Sequence, residues 1–166
     1  MSDIAATPLR VVAGHRTLGA RWSAAVLVAG VLSLAAGWIH FAFVSSHWDY
    51  WWAYGAFFLG TGIFQSLLAP ALLRWPGSWT ALVGIAGNVA IIGMYLWSRI
   101  YAIPMGPHKG VLEKVGAVDL ACTAAEVVTV GVLLGIVGPA KRRWAVNALL
   151  AIGVALWALR LTNQVV

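Results

Sequence analysis

The chain has 166 residues, of which 61% are hydrophobic and 10% are charged. A soluble domain carries about 25% charged residues, so this chain does not have enough polar side chains to cover a surface in water. Its one cysteine excludes a disulfide framework and a cysteine-based zinc site. The net charge of +6 does not indicate nucleic-acid binding, because the Lys and Arg residues lie between apolar segments rather than in one basic stripe.

Five stretches are long and apolar enough to cross a bilayer, which takes about 20 residues. In chain order they cover residues 22–44, 52–73, 79–98, 116–137 and 144–161. Short linkers rich in Pro and Gly separate most of them, as expected between consecutive helices. The sequence therefore predicts an all-α integral membrane bundle of five transmembrane helices. It forms one domain, residues 22–162, between a polar N-terminal tail, 1–21, and a short C-terminal tail, 163–166.

Positive charges predict the orientation of the bundle, because Lys and Arg concentrate on the cytoplasmic side of a membrane protein. Seven of them share the side of the N-terminus: Arg10, Arg16, Arg21, Arg74, Lys141, Arg142 and Arg143. The opposite side holds four: Arg99, Lys109, Lys114 and Arg160. We therefore expect a cytoplasmic N-terminus and an outer C-terminus.

Ten tryptophans fall near the predicted span ends, where aromatic side chains anchor a protein in the membrane interface. Those at the outer ends also fit a second interpretation, in which they wall a pocket for a ligand or a flat cofactor.

Few polar side chains enter the spans, and each is costly there without a partner. Asp119, Cys122 and Glu126 recur on one face of the fourth predicted helix. Glu126 lies near the membrane midplane, at the depth expected for Gln65 and Asn88 on the second and third spans. We expect Gln65, Asn88 and Glu126 to form a buried polar cluster. Asp119, near the outer interface, is placed to pair with Arg99.

Three of the four histidines belong to the predicted outer side, together with three of the five acids. This pattern predicts an outward-facing metal site formed by His40, His47, His108, Asp49, Glu113 and Asp119. Imidazole ligands favour copper, while zinc and haem iron are less favoured alternatives. The same residues also fit a simple layer of salt bridges that holds no cofactor, and the sequence leaves that choice open.

Three stretches resemble an uncharacterised group of small multi-pass membrane proteins found in actinobacterial and related bacterial genomes. They are residues 52–58 with Gln65, then Asn88 with Trp97 and Arg99, and then residues 106–108 with Glu113, Asp119 and Glu126. The resemblance covers roughly the first four spans and implies a bacterial plasma membrane. It carries no activity that transfers to this chain.

These observations favour an accessory or binding subunit of a larger membrane complex, with the outward-facing site holding a metal or redox cofactor. Its expected partners are the lipid bilayer and other membrane subunits, and not nucleic acid. One alternative is a small membrane enzyme acting on a lipid or a quinone, which is less favoured because no nucleophile or acid–base pair has a recognisable spacing. Another alternative is a proton or ion pathway that uses Asp119 and Glu126.

Overall fold

The computed structural model describes the backbone of residues 9–163 and the side chains of residues 24–158 and 162. This part of the chain is helical and contains no strand. Six helices follow one another: α1 (Leu9–Ala42), α2 (Val44–Tyr50), α3 (Trp52–Arg74), α4 (Ser78–Ile100), α5 (Ala117–Ile136) and α6 (Pro139–Asn163). The all-α prediction agrees with this architecture.

Within the described residues, four segments are long and apolar enough to cross a membrane: Ala24–Ala42, Trp52–Arg74, Ser78–Ile100 and Ala117–Ile136. These lengths and compositions indicate a multi-pass membrane protein. The fifth predicted span lies in α6 but is not among the four, so it stays a prediction. The orientation also stays a prediction. Four of its cations lie outside the described side chains, namely Arg10, Arg16, Arg21 and Arg160.

The helices run up and down, which gives the bundle two different ends. The turns at 75–77 and 137–138 share one end, where the backbone N–H of Gly138 lies 3.4 Å from Ser78 Oγ. We call this the short-turn end. Helix α2 and the loop at 101–116 share the opposite end, where the Tyr54 hydroxyl donates to the Met105 carbonyl at 3.3 Å. We call this the loop end.

Helix α1 stops before α2 rather than continuing into it. Phe43 departs from helical geometry (φ −103°, ψ 1°), and α2 is a separate seven-residue helix. Trp51 then takes an extended conformation that turns the chain into α3. Because of this break, His40 on α1 and His47 on α2 do not belong to one continuous helix. Their seven-residue spacing would put them on one face only if the helix were continuous.

Glycines allow α1 and α3 to approach closely beside the polar cluster. A Cβ atom added at Gly37 would lie 3.1 Å from Gln65 Cβ, and one at Gly62 would lie 2.8 Å from the Phe41 ring. Small residues at helix contacts are the usual means of close packing in membranes. Here they bring the polar side chains of α1 and α3 within hydrogen-bonding reach.

The interior changes character along the bundle axis. Apolar residues of four helices fill the half towards the short-turn end: Val26, Ala29, Leu68, Leu72, Ala81, Ile85, Val130, Leu133, Ile136 and Val137. Most of the buried polar residues lie in the middle and in the half towards the loop end, together with the buried thiol of Cys122: Ser33, His40, Thr61, Gln65, Asn88, Ser98 and Glu126. Thr129 lies next to the apolar half, where its hydroxyl donates to the Ala125 carbonyl of its own helix at 2.8 Å. The polar interior is therefore closed off by apolar packing on the short-turn side.

Candidate functional site

The centre of the polar interior is a group of three side chains from two helices. His40 of α1 and Cys122 and Glu126 of α5 are 7%, 5% and 2% exposed. His40 Nε2 lies 3.1 Å from Glu126 Oε1 and 3.6 Å from Cys122 Sγ, and the sulfur lies 3.9 Å from the same carboxylate oxygen. Among the side chains that the structure describes, no other group of three His, Cys, Asp or Glu residues brings its ligand atoms within 4.8 Å of one another.

Helix geometry explains why these residues meet. Cys122 and Glu126 are four residues apart, so their side chains are neighbours on one face of α5. Helix α1 packs antiparallel to α5, with its last turn at the loop end, and His40 belongs to that turn. Glu126 lies nine residues into α5, or about 14 Å from its start, which is near the middle of a bilayer core about 30 Å thick.

A proton must lie between His40 Nε2 and Glu126 Oε1, because two bare acceptors at 3.1 Å would repel each other. The other ring nitrogen, His40 Nδ1, is buried and makes no hydrogen bond. The Phe58 ring meets the imidazole in a T-shaped contact, with 5.4 Å between ring centroids. One nitrogen of this histidine is thus engaged in the site, while the other lacks an oxygen partner.

Gln65 connects the carboxylate to the remaining polar side chains. Its Nε2 group donates to Asn88 Oδ1 at 3.0 Å and lies 3.5 Å from Glu126 Oε1. The Ser33 hydroxyl lies 2.6 Å from Gln65 Oε1 and 2.7 Å from the Gln65 carbonyl oxygen, and it shares its one proton between them. Asn88 Nδ2 donates to the Gly84 carbonyl at 2.8 Å. Gln65, Asn88 and Glu126, which the sequence groups as a buried polar cluster, therefore lie in one hydrogen-bonded network.

The three histidines of the sequence-predicted metal site have different hydrogen-bond partners. His47 Nδ1 donates to the Phe43 carbonyl at 2.8 Å, and its ring stacks on Phe58 with centroids 3.7 Å apart. Phe58 thus contacts both His40 and His47. His108 lies in the long loop, where its Nδ1 is 3.1 Å from Glu113 Oε1.

The acids assigned to that site are also spread out. Asp119 pairs with Arg99, whose Nη2 donates to Asp119 Oδ2 at 2.8 Å. Asp49 lies near the end of α2 and is exposed. The structure thus brings together His108 with Glu113, and Asp119 with Arg99, but does not gather the six residues into one group within 4.8 Å.

Arg99 organises the loop end. Its guanidinium also donates to Ser98 Oγ at 2.6 Å and to the Lys114 carbonyl at 3.2 Å, and it lies 4.2 Å from the centre of the Tyr95 ring. These contacts join α4 to the start of α5 and fix the end of the long loop. The ion pair with Asp119 is therefore part of a structural layer between the polar interior and the loop-end surface.

The outer tryptophans differ in exposure: Trp51 is partly buried, with its ring centroid 5.1 Å from that of Tyr54, whereas others face away from the bundle. Trp38 and Trp52 are among the most exposed large side chains, at 76% and 63%. Exposed aromatic rings near the ends of membrane helices fit interfacial anchoring.

Sequence reasoning did not identify His40, Cys122 and Glu126 as one group. The pattern of Asp119, Cys122 and Glu126 on one helix face was visible, but at the sequence level the single cysteine excluded a cysteine-based zinc site. That exclusion holds for sites made of several cysteines and not for one thiol beside an imidazole and a carboxylate. The pairing of His40 with α5 depends on which helices are neighbours, and spacing within one segment does not carry that information.

No protein-family model, curated protein or solved structure matches the chain. Only the chemistry of the site therefore bears on the function of this chain.

Proposed function

We propose that this multi-pass membrane protein binds a transition metal ion inside its helical bundle through His40, Cys122 and Glu126. The supporting observation is the triangle of 3.1, 3.6 and 3.9 Å between their nitrogen, sulfur and oxygen atoms. Ligands about 2.0–2.3 Å from a tetrahedral zinc ion are about 3.3–3.6 Å from one another. The triangle differs from that geometry by no more than about 0.4 Å on any side, so side-chain adjustment is enough to close the site.

The donor set selects zinc first. A neutral imidazole, a thiolate and a carboxylate are all ordinary zinc ligands, and three protein ligands leave the fourth position open for water or an exchanging ligand. Copper(I) is the second choice, since it binds thiolate and imidazole but gains less from a carboxylate oxygen. The sequence-level preference for copper applied to a site of three imidazoles with supporting carboxylates. In the buried site a single imidazole remains and the Cys122 thiol is added, which shifts the preference to zinc.

The surroundings of the site favour an exchangeable ion over a permanent structural one. A metal-binding histidine usually donates its second N–H to an oxygen, and losing that contact lowers metal affinity by about 10- to 100-fold. His40 Nδ1 has no such partner. Apolar residues separate the site from the short-turn end, so an ion would come and go through the loop end. These features suit a binding or accessory subunit that receives or delivers a metal.

Metal analysis of the purified protein tests this proposal. The protein, saturated with zinc and then desalted, should retain about one ion per chain. We expect His40→Ala, Cys122→Ser and Glu126→Gln each to lose it, because each removes one of three ligands. His47→Ala and His108→Ala are matched controls at the loop end and should retain it.

Cobalt(II) substitution adds a direct spectroscopic test, since a thiolate ligand gives charge-transfer absorption that Cys122→Ser would remove. Retention of zinc by all three interior variants would refute the buried site. Loss in the His40→Ala, His47→Ala and His108→Ala variants, with retention by Cys122→Ser and Glu126→Gln, would instead support the outward-facing site predicted from the sequence.

A proton pathway through Glu126 is the second candidate. It is favoured by the buried His40–Glu126 pair, which shares a proton at 3.1 Å. The apolar packing between the cluster and the short-turn end counts against a proton pathway, because a relay needs polar groups or water along its whole length. Proton flux into proteoliposomes that survives Cys122→Ser but is lost in Glu126→Gln would favour this candidate over metal binding.

We further propose that the protein resides in a bacterial plasma membrane with its N-terminus in the cytoplasm, in contact with lipid and with other membrane subunits. The support is the four apolar helices and the basic short-turn end. In a Cys122→Ser background, a cysteine placed at Lys141 should be protected from an impermeant reagent in intact cells. A cysteine placed at Lys109 should react, and the reverse pattern would overturn this orientation.

A further inference from the structure

The short-turn end carries an excess of positive charge. Arg74 ends α3, and Lys141, Arg142 and Arg143 occupy the first turns of α6. The sequence holds no Asp or Glu from residue 72 to 80 or from 137 to 145. Four cations therefore lie in two turns that contain no acid of their own.

Contacts between the two turns place these charges on one surface. Gly138 N–H points to Ser78 Oγ at 3.4 Å, and Lys141 Nζ lies 4.1 Å from the centre of the Trp79 ring. The Lys141 ammonium is thus positioned by an aromatic face and not by a carboxylate. The first turns of α4 and α6 therefore lie at the same end of the bundle, where the first N–H groups of a helix have no partner within the helix.

The loop end has the opposite arrangement. There Arg99 pairs with Asp119 at 2.8 Å, and His108 lies 3.1 Å from Glu113. Within the described side chains, the third ion pair lies inside the bundle at His40, and none involves a cation of the short-turn end. Arg74 instead lies with its guanidinium carbon 5.6 Å from the centre of the Trp75 ring.

From this asymmetry we infer that the short-turn end binds the phosphate group of an anionic phospholipid between the α3–α4 and α5–α6 turns. The ligand must be an anion, because none of the four cations pairs with a carboxylate among the described side chains, and Arg74 and Lys141 have aromatic neighbours instead. It is a lipid rather than a free ion because Trp75 and Trp79 are 63% and 73% exposed beside the charges. Rings in that position insert at headgroup depth, where a lipid phosphate lies. Helix N-termini add further donors for it.

The size of the effect follows from surface electrostatics. Each Lys or Arg close to an anionic membrane surface contributes about 1 kcal/mol, which is about fivefold in affinity. Removing two of the cations should therefore weaken the preference for an anionic lipid by about 10- to 30-fold.

Native mass spectrometry of the full-length protein, released from micelles that contain equal amounts of phosphatidylglycerol and phosphatidylcholine, tests the inference. The wild-type protein should retain phosphatidylglycerol preferentially. The Lys141→Ala/Arg142→Ala double variant should lose most of this preference. The charge-matched control Lys109→Ala/Lys114→Ala, which removes two cations from the loop end, should behave like the wild type.

Two outcomes would overturn the inference. One is equal lipid selectivity in the two double variants, which would make the preference a general effect of net charge. The other is displacement of the retained lipid by millimolar inorganic phosphate or glycerol phosphate, which would identify a site for a free anion. Circular dichroism checks that both double variants keep their helical content. Zinc retention should be unchanged in both, so this test and that of the metal site fail independently.

Discussion

Replacement of Gln65 by Leu tests whether the polar network stabilises the bundle. Gln65 is fully buried and bonds to side chains from three other helices. Leucine has a similar size, so the substitution removes the amide while leaving little empty space. Ser33 keeps an acceptor because its hydroxyl can turn entirely to the carbonyl oxygen of residue 65 at 2.7 Å. Asn88 Oδ1 loses the donor at 3.0 Å, and Glu126 loses a longer contact at 3.5 Å.

The expected cost is about 2–3 kcal/mol in the free energy of unfolding. A buried acceptor left without a donor costs about 1–3 kcal/mol, which applies to Asn88. The contact to Glu126 is long and His40 remains beside the carboxylate, so its loss adds about 0.6 kcal/mol, the average for polar contacts between membrane helices.

Unfolding in mixed micelles of mild detergent and dodecyl sulfate, followed by circular dichroism, measures this cost. A chelator keeps metal binding out of the comparison. The double-mutant cycle with Asn88→Leu separates the hydrogen bond from general packing effects. We expect the double variant to lose about 1 kcal/mol less than the sum of the single variants, because neither amide then lacks its partner. The reasoning would be refuted if Gln65→Leu lowered the free energy of unfolding by less than about 0.5 kcal/mol and the effects of the two single variants were additive.

Two further predictions concern packing and the loop end. Gly62→Val should destabilise the bundle by about 1–3 kcal/mol, because its Cβ would lie 2.8 Å from the Phe41 ring. The control is Gly60→Val on the same helix, where an added Cβ meets no atom within 4 Å, and it should leave the melting temperature nearly unchanged. Asp119→Asn should cost less than about 1 kcal/mol, because the carboxylate that pairs with Arg99 is 43% exposed. The Asp119→Asn difference should shrink further in high salt, and an unfolding cost that does not depend on salt would contradict this assignment.

The sequence by itself determined the class of the protein, because the relevant signals are local. A charged fraction of 10% and long apolar stretches indicate membrane helices without reference to any neighbour. The three predicted spans at 52–73, 79–98 and 116–137 differ from α3, α4 and α5 by at most two residues at each end. Depth within a span is also local, since it follows from the rise per residue, and it predicted one level for Gln65, Asn88 and Glu126, which share hydrogen bonds in the structure.

Tertiary structure decided which of the polar residues meet. At the sequence level His40 was assigned to the loop-end histidines, because His47 follows it by seven residues and both lie on the predicted outer side. The break at Phe43 ends α1 two residues after His40, and the packing of α1 on α5 directs the imidazole to Glu126. No periodicity within a segment encodes that choice of neighbour, because it depends on the close approach of helices distant in sequence.

The two ends of the bundle also show what depends on sequence and what depends on tertiary contacts. The positions of Arg99 and Asp119 near one interface were predictable from their places in their spans, and so was their pairing. The composition of the short-turn end was equally visible as a run of cations at 141–143 and an arginine at 74. Only the folded chain puts Lys141 over Trp79 and gives this lysine an aromatic rather than an acidic neighbour, because that contact depends on two turns 60 residues apart coming together.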